Sequence, residues 1–149
     1  MKIPMLSAHF SFDELTGSDE HPDLVDKNRL EASAFTGKLA QLCRSLLEPV
    51  RNEFGPVVVK SGYRCAALNK AVHGVESSQH CKAEAVDFVV PGCDLDEVFS
   101  WIRKSGLEYG QIILEPGWIH VSLGEPYRPA EKCGEALVYN GKKYSEVKE

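Results

Sequence analysis

The chain has 149 residues, 43% of them hydrophobic and 26% charged, the make-up of one globular domain large enough to bury a core without staples. A formal charge of -5 argues against a dominant nucleic-acid or anionic-membrane footprint, and no apolar run approaches the roughly 20 residues needed to cross a bilayer. The five cysteines (Cys43, Cys65, Cys81, Cys93, Cys133) are odd in number and show no CxxC spacing, which suits free thiols in a reducing cytosol better than a disulfide framework. The opening run Met1–Phe10 lacks the uninterrupted apolar stretch and small-residue cleavage site of a secretion signal, so synthesis without a leader is expected.

In chain order, Ser11 ahead of Phe12 and Glu14 predicts a short capped helix over 10–15. Residues 16–28 are rich in Asp, Ser, Gly and Pro and read as a surface loop, with His21 a solvated loop histidine. From Arg29 to Phe54 the apolar positions Phe35, Leu39, Leu42, Cys43, Leu46, Val50 and Phe54 recur at steps of three and four, predicting a helix that Pro49 kinks. Pro56–Ser61 is a β-branched run of strand length, expected to be buried. A short helix over 66–72 and a polar loop over 73–79 then lead to His80. Glu84–Val90 alternates as a strand, with Ala85, Asp87 and Val89 on one face. Cys93–Lys104 is an amphipathic helix with the stripe Leu95, Val98, Phe99 and Ile102.

Gln111–Glu115 and Trp118–Ser122 predict two strands joined at Pro116-Gly117. A tight hairpin there pairs Leu114 with Ile119 and Ile113 with His120, placing Glu115 and His120 on one face roughly 7–8 Å apart. Residues 124–149 read as turn-rich and polar, with one short strand at Ala136–Tyr139.

Chemistry concentrates in Ser78-Gln-His80 through Asp87 and in Trp118-Ile-His120. Two histidines and an aspartate are the ligand types zinc takes in catalytic sites, with a fourth position left for water. An aspartate inside an apolar strand needs a partner, either a cation or an arginine. Cys81 is an alternative soft fourth ligand, although neighbours on an extended chain point apart. In this reading Zn2+, one per chain, is held by His80, Asp87 and His120. Glu115 handles the water proton, and Arg64, at a strand's end, anchors a carboxylate or a developing oxyanion; a plain surface arginine is the alternative for Arg64.

The runs Ser61-Gly-Tyr-Arg64, Leu68-Asn69, Ser78-x-His80 with Ala85-x-Asp87, and Trp118-Ile-His120-Val-Ser resemble the zinc D-alanyl-D-alanine carboxypeptidase family, which includes phage L-alanyl-D-glutamate endolysins. His9–Leu15 and Leu47–Arg51 are similar to its short single-domain branch, so the resemblance spans about 7–123. It implies an α+β fold with a small antiparallel sheet carrying the zinc site and helices on one side. It also implies ligands at His80, Asp87 and His120, and a substrate-facing Arg64, to which Ser78, Tyr63 and Trp118 are added as substrate-contact candidates; Tyr127 is a further cleft candidate. The substrate implied is a peptidoglycan stem peptide, met by a monomer with no nucleic-acid partner and no membrane insertion. A phage-type release would bring it to the wall.

Two positions depart from the pattern. Ala83 stands where the family has glycine, tolerable only if φ is negative there, and Gly110 stands where an aspartate is common. The alternative to an active peptidase is therefore a zinc-stapled wall-binding or phage structural module with weak or no turnover.

Overall fold

In a computed structural model, residues 4–148 are described; Met1–Ile3, part of the stretch read for a leader, and Glu149 lie outside them. Among the described residues no helix is long and apolar enough to cross a membrane. The chain forms a single α+β domain around one six-stranded sheet.

The strands are β1 (Val58–Ser61), β2 (Ala85–Val89), β3 (Tyr109–Leu114), β4 (Ile119–Leu123), β5 (Glu135–Tyr139) and β6 (Tyr144–Glu146), in spatial order β1-β2-β4-β3-β5-β6. Every pair is antiparallel except β3 with β5, so the strands implied to carry zinc are antiparallel and the sheet as a whole is mixed. Side chains alternate between faces along each strand. One face supplies Val86, Phe88, Ile112, Ile119 and Val121 to the core, joined there by Leu39, Leu42, Leu46 and Val50 and by Val98, Phe99 and Ile102. The opposite face carries the polar chemistry.

The helical run is α1 (Val25–Ala32), a tight turn over Ser33–Phe35, α2 (Thr36–Leu42), a wide π turn over Cys43–Leu47, and α3 (Glu48–Phe54). Pro49 lacks an N–H and crowds the turn before it. The π turn relieves this crowding, with the Glu48 N–H reaching five residues back to the Cys43 carbonyl. The predicted kink is thus a widened turn. α4 (Ala66–Ala71) and α5 (Leu95–Lys104) follow, the latter capped by the Asp94 side chain on the Asp96 N–H at 2.9 Å.

Four expectations are corrected. Residues 10–15 form turns rather than a helix: Ser11 and Glu14 do make a reciprocal capping pair at 3.0 and 3.1 Å, but the Thr16 hydroxyl takes the Phe12 carbonyl at 2.7 Å and stops propagation. The strand at 58–61 is an edge, with Val58 exposed, not a buried strand. The segment 16–28 is only partly loop, because α1 begins at Val25 and Asn28 is fully buried. Its amide donates to the Thr16 and Tyr63 carbonyls and accepts from the Cys65 N–H at 2.7 Å, pinning both sides of the Arg64 turn. The C-terminal stretch, read as having one strand, has two.

Candidate metal centre

His80 sits on a single 3-10 turn, Gln79–Lys82, whose cap is the Ser78 hydroxyl. Asp87 lies in the middle of β2, directly opposite His120 on β4. Register thus fixes two of the three groups, and the 3-10 turn swings His80 over them. One ligand atom from each lies within 4.8 Å of the others. The Asp87 Oδ1 is 2.9 Å from His120 Nδ1 and 3.3 Å from His80 Nε2.

The outer ring nitrogens decide the tautomers. His80 Nδ1 meets the Gly62 carbonyl at 2.8 Å, and a carbonyl only accepts, so the proton is on Nδ1. His120 Nε2 donates to Gln79 Oε1 at 3.0 Å, and Gln79 is turned that way because its own amide donates to the Ser122 hydroxyl. The inner nitrogens, His80 Nε2 and His120 Nδ1, therefore present lone pairs toward a carboxylate that can only accept. Three acceptors facing one point need a cation between them, and two neutral imidazoles with a carboxylate are a donor set that fits zinc.

Gly62 shows why this cradle closes. A β-carbon there would lie 2.2 Å from the Leu15 carbonyl, while the neighbouring Tyr63 N–H donates to that same carbonyl at 2.8 Å. Only glycine lets the N-terminal turns approach this closely and leaves the Gly62 carbonyl aimed at His80.

Arg64 is half-buried, donating from Nη2 to the Ser78 hydroxyl at 3.1 Å. Among the described residues its buried Nε has no hydrogen-bond partner. Burial lowers its pKa, opposed by the charge of Asp87. With Asp87, Lys60, Leu68 and Trp118 it lines an open cleft of about 440 Å³ beside the centre. Trp118, named as a substrate-contact candidate, is among the residues that line this cleft. Ser78 is buried, and its hydroxyl oxygen accepts from the Arg64 guanidinium and from the His80 N–H. Tyr63 is buried, with its ring 5.4 Å from that of Phe35, and it lines a different groove. Cys81 lines that other groove too and is not gathered with the three candidate ligands. Tyr127 packs its ring 4.8 Å from the Lys38 ammonium, away from the cleft.

The β3–β4 pairing has the expected register, Leu114 with Ile119 and Ile113 with His120, and the Glu115 N–H closes the hairpin on the Trp118 carbonyl at 2.9 Å. Glu115 therefore shares the His120 face. Burial and the charge of Asp87 raise its pKa, with His120 opposing. Gln79 had no signal in the sequence beyond lying next to a candidate ligand.

Both departures acquire a physical meaning. Ala83 is in the left-handed region at φ +60 and fully buried, so the condition of negative φ is not met and the site carries the strain of a β-carbon there. At Gly110 a β-carbon would lie 2.3 Å from the Leu123 carbonyl and 3.0 Å from the Ser122 hydroxyl, where the β3–β4 register slips between Tyr109 and Ile112. An aspartate has no room in this backbone.

No curated protein matches the chain. A family model described as Peptidase M15 matches residues 8–122, a span that contains the His80, Asp87 and His120 cluster, Arg64 and Glu115. The chain belongs to the Peptidase M15 family, whose members are zinc-dependent metallopeptidases.

Proposed function

We propose that the protein is a zinc peptidase that hydrolyses an amide bond in peptidoglycan stem peptides, with one zinc per chain at His80, Asp87 and His120. The observation that carries this reading is the pair of fixed tautomers, which leaves three acceptor groups converging beside a cleft that also holds Arg64.

When bound, zinc supplies Lewis acidity, polarising a carbonyl and easing the deprotonation of water near neutral pH. The chain's own groups do the rest. Glu115 Oε takes a proton from the attacking water and delivers it to the departing amine nitrogen as the C–N bond breaks. Its raised pKa suits it to both halves of that transfer. The Arg64 guanidinium, steered by Ser78, faces the carboxylate or oxyanion side of the substrate. Its unpartnered Nε keeps a donor in reserve on that buried face. His80 and His120 hold their geometry through Gly62 and Gln79.

The direct test is metal analysis coupled to digestion. The purified chain is expected to hold about one zinc and to release new amines from peptidoglycan, with release abolished by a chelator and restored by zinc. A zinc-loaded chain that cleaves no stem peptide would point to a binding module instead. Fragment masses would name the bond and separate carboxypeptidase from endopeptidase action.

A further inference from the structure

Across the sheet, Ser61, Asp87, His120, Ile113, Leu137 and Glu146 pair one with the next in an unbroken row. Two residues further along each strand on the same face comes a second row, with Trp118 and Glu115 facing each other at the hairpin and Tyr139 paired with Tyr144. β3 and β5 run parallel with Leu114 beside Val138, so Tyr139 stands next to Glu115. The proximity is also electrostatic, since after burial the largest influence on the Tyr144 phenol is the charge of Glu115. β5 and β6 lie outside residues 8–122, the span that the family model matches.

The row changes character from one end to the other. On the β1 side the cleft presents Arg64 and Lys60. On the β6 side the sheet face presents two tyrosine rings with centroids 4.4 Å apart, tilted by 32°, with Tyr144 55% exposed. Two carboxylates, Glu115 and the exposed Glu146, border them. An exposed aromatic ring bordered by acids attracts an ammonium group and disfavours a carboxylate.

Resting on the peptidase reading, we propose that Tyr139 and Tyr144 form a substrate subsite for an amino-bearing side chain of the stem peptide. The peptide then lies across the sheet with its carboxylate toward Arg64 and its cationic side chain over the tyrosine pair. The β5–β6 pair thereby sets which peptides are taken, and the groups around the metal centre set what is done to them.

The test is calorimetric binding to the zinc-loaded full chain of a lysine-containing stem peptide and of the same peptide acetylated at the lysine Nε. Acetylation is expected to weaken binding roughly 5- to 30-fold, the range between an exposed and a desolvated cation–π contact. Tyr144→Leu should shrink that ratio to within about twofold, while Tyr144→Phe, which keeps the π face, should retain most of it. Equal binding of the two peptides by the unsubstituted chain would overturn the subsite, as would a ratio that Tyr144→Leu leaves unchanged; in either case peptide binding and the peptidase reading survive. Failure to bind either peptide would overturn both. Tyr144 is exposed on an edge strand, so its replacement leaves the fold intact.

Discussion

Gln79 takes the outer ring proton of His120 at 3.0 Å, and through that single hydrogen bond it decides which nitrogen of His120 faces Asp87. The amide is held in turn by Ser122, which also accepts the Gln111 N–H at 3.0 Å. Partners of this kind orient metal-ligating imidazoles, and losing one costs on the order of 10–100-fold in metal affinity. Gln79→Ala is therefore expected to fold normally and to bind zinc roughly 10–100-fold more weakly in a competition titration with a chromogenic chelator. Unchanged affinity would remove Gln79 from the centre's support.

Glu115 is expected to be needed for turnover and not for metal. General acid–base groups typically contribute about 10²–10⁴-fold, so Glu115→Gln should retain zinc while kcat on a stem peptide drops by that order. The chain's raised Glu115 pKa predicts that kcat/KM rises with pH along an acidic limb displaced above the ordinary carboxylate range. Loss of zinc from the variant would instead make Glu115 part of the metal's support.

How much of this was legible in the sequence depended on whether the determinants were local. The β3–β4 register could be read because only Pro116-Gly117 separates two alternating strands, and one short loop leaves few ways to pair them. Asp87 stood out as a carboxylate in an apolar strand. Asn28 did not, because a polar residue in a polar stretch looks solvated, and its burial depends on Thr16, Tyr63 and Cys65 arriving from elsewhere. The parallel docking of β5 on β3 is likewise non-local, joining residues 24 apart such as Gln111 and Glu135, and short polar strands announce themselves weakly. Tyr63 is buried against Phe35 while its neighbour Arg64 lines the cleft, because successive residues need not face the same way.

Ala83 carries a strain that can be measured. Its φ of +60 places a β-carbon where glycine is favoured, at a cost of about 1–2 kcal/mol. Ala83→Gly relieves this, offset in part by glycine's larger unfolded-state entropy and by the loss of a buried methyl. A net gain of about 0.5–1 kcal/mol, or roughly 2 °C in Tm for a chain of this size, is expected in thermal melts. A lower Tm would show that the methyl's packing outweighs the strain.

Gly110→Asp tests the opposite case. The β-carbon clashes with the Leu123 backbone carbonyl, which cannot swing aside as a side chain would. Overpacking of this kind costs about 1–3 kcal/mol, and the displaced β4 carries His120. Both the denaturant midpoint and the zinc affinity are expected to fall together. A stable variant with unchanged zinc affinity would mean that the bulge at Tyr109–Ile112 can rearrange.

The N-terminal segment is tied to α3 through the Glu48 carboxylate. Glu48 accepts from the Ser7 hydroxyl at 2.5 Å, from the His9 N–H at 2.8 Å and from His9 Nδ1 at 2.7 Å. Burial would raise its pKa, but these bonds prevail and lower it. A carboxyl whose folded pKa lies below its unfolded value of about 4.3 binds protons more readily when unfolded. Its contribution is therefore complete above the unfolded pKa and is lost as pH falls through the folded one. Glu48→Gln is expected to cost about 1 kcal/mol at pH 7. The cost should shrink steadily in denaturant titrations taken from pH 5 down to pH 3, where the unsubstituted chain loses the same interaction. A cost that stays constant over that range would show that the carboxylate's charge contributes nothing to holding the segment.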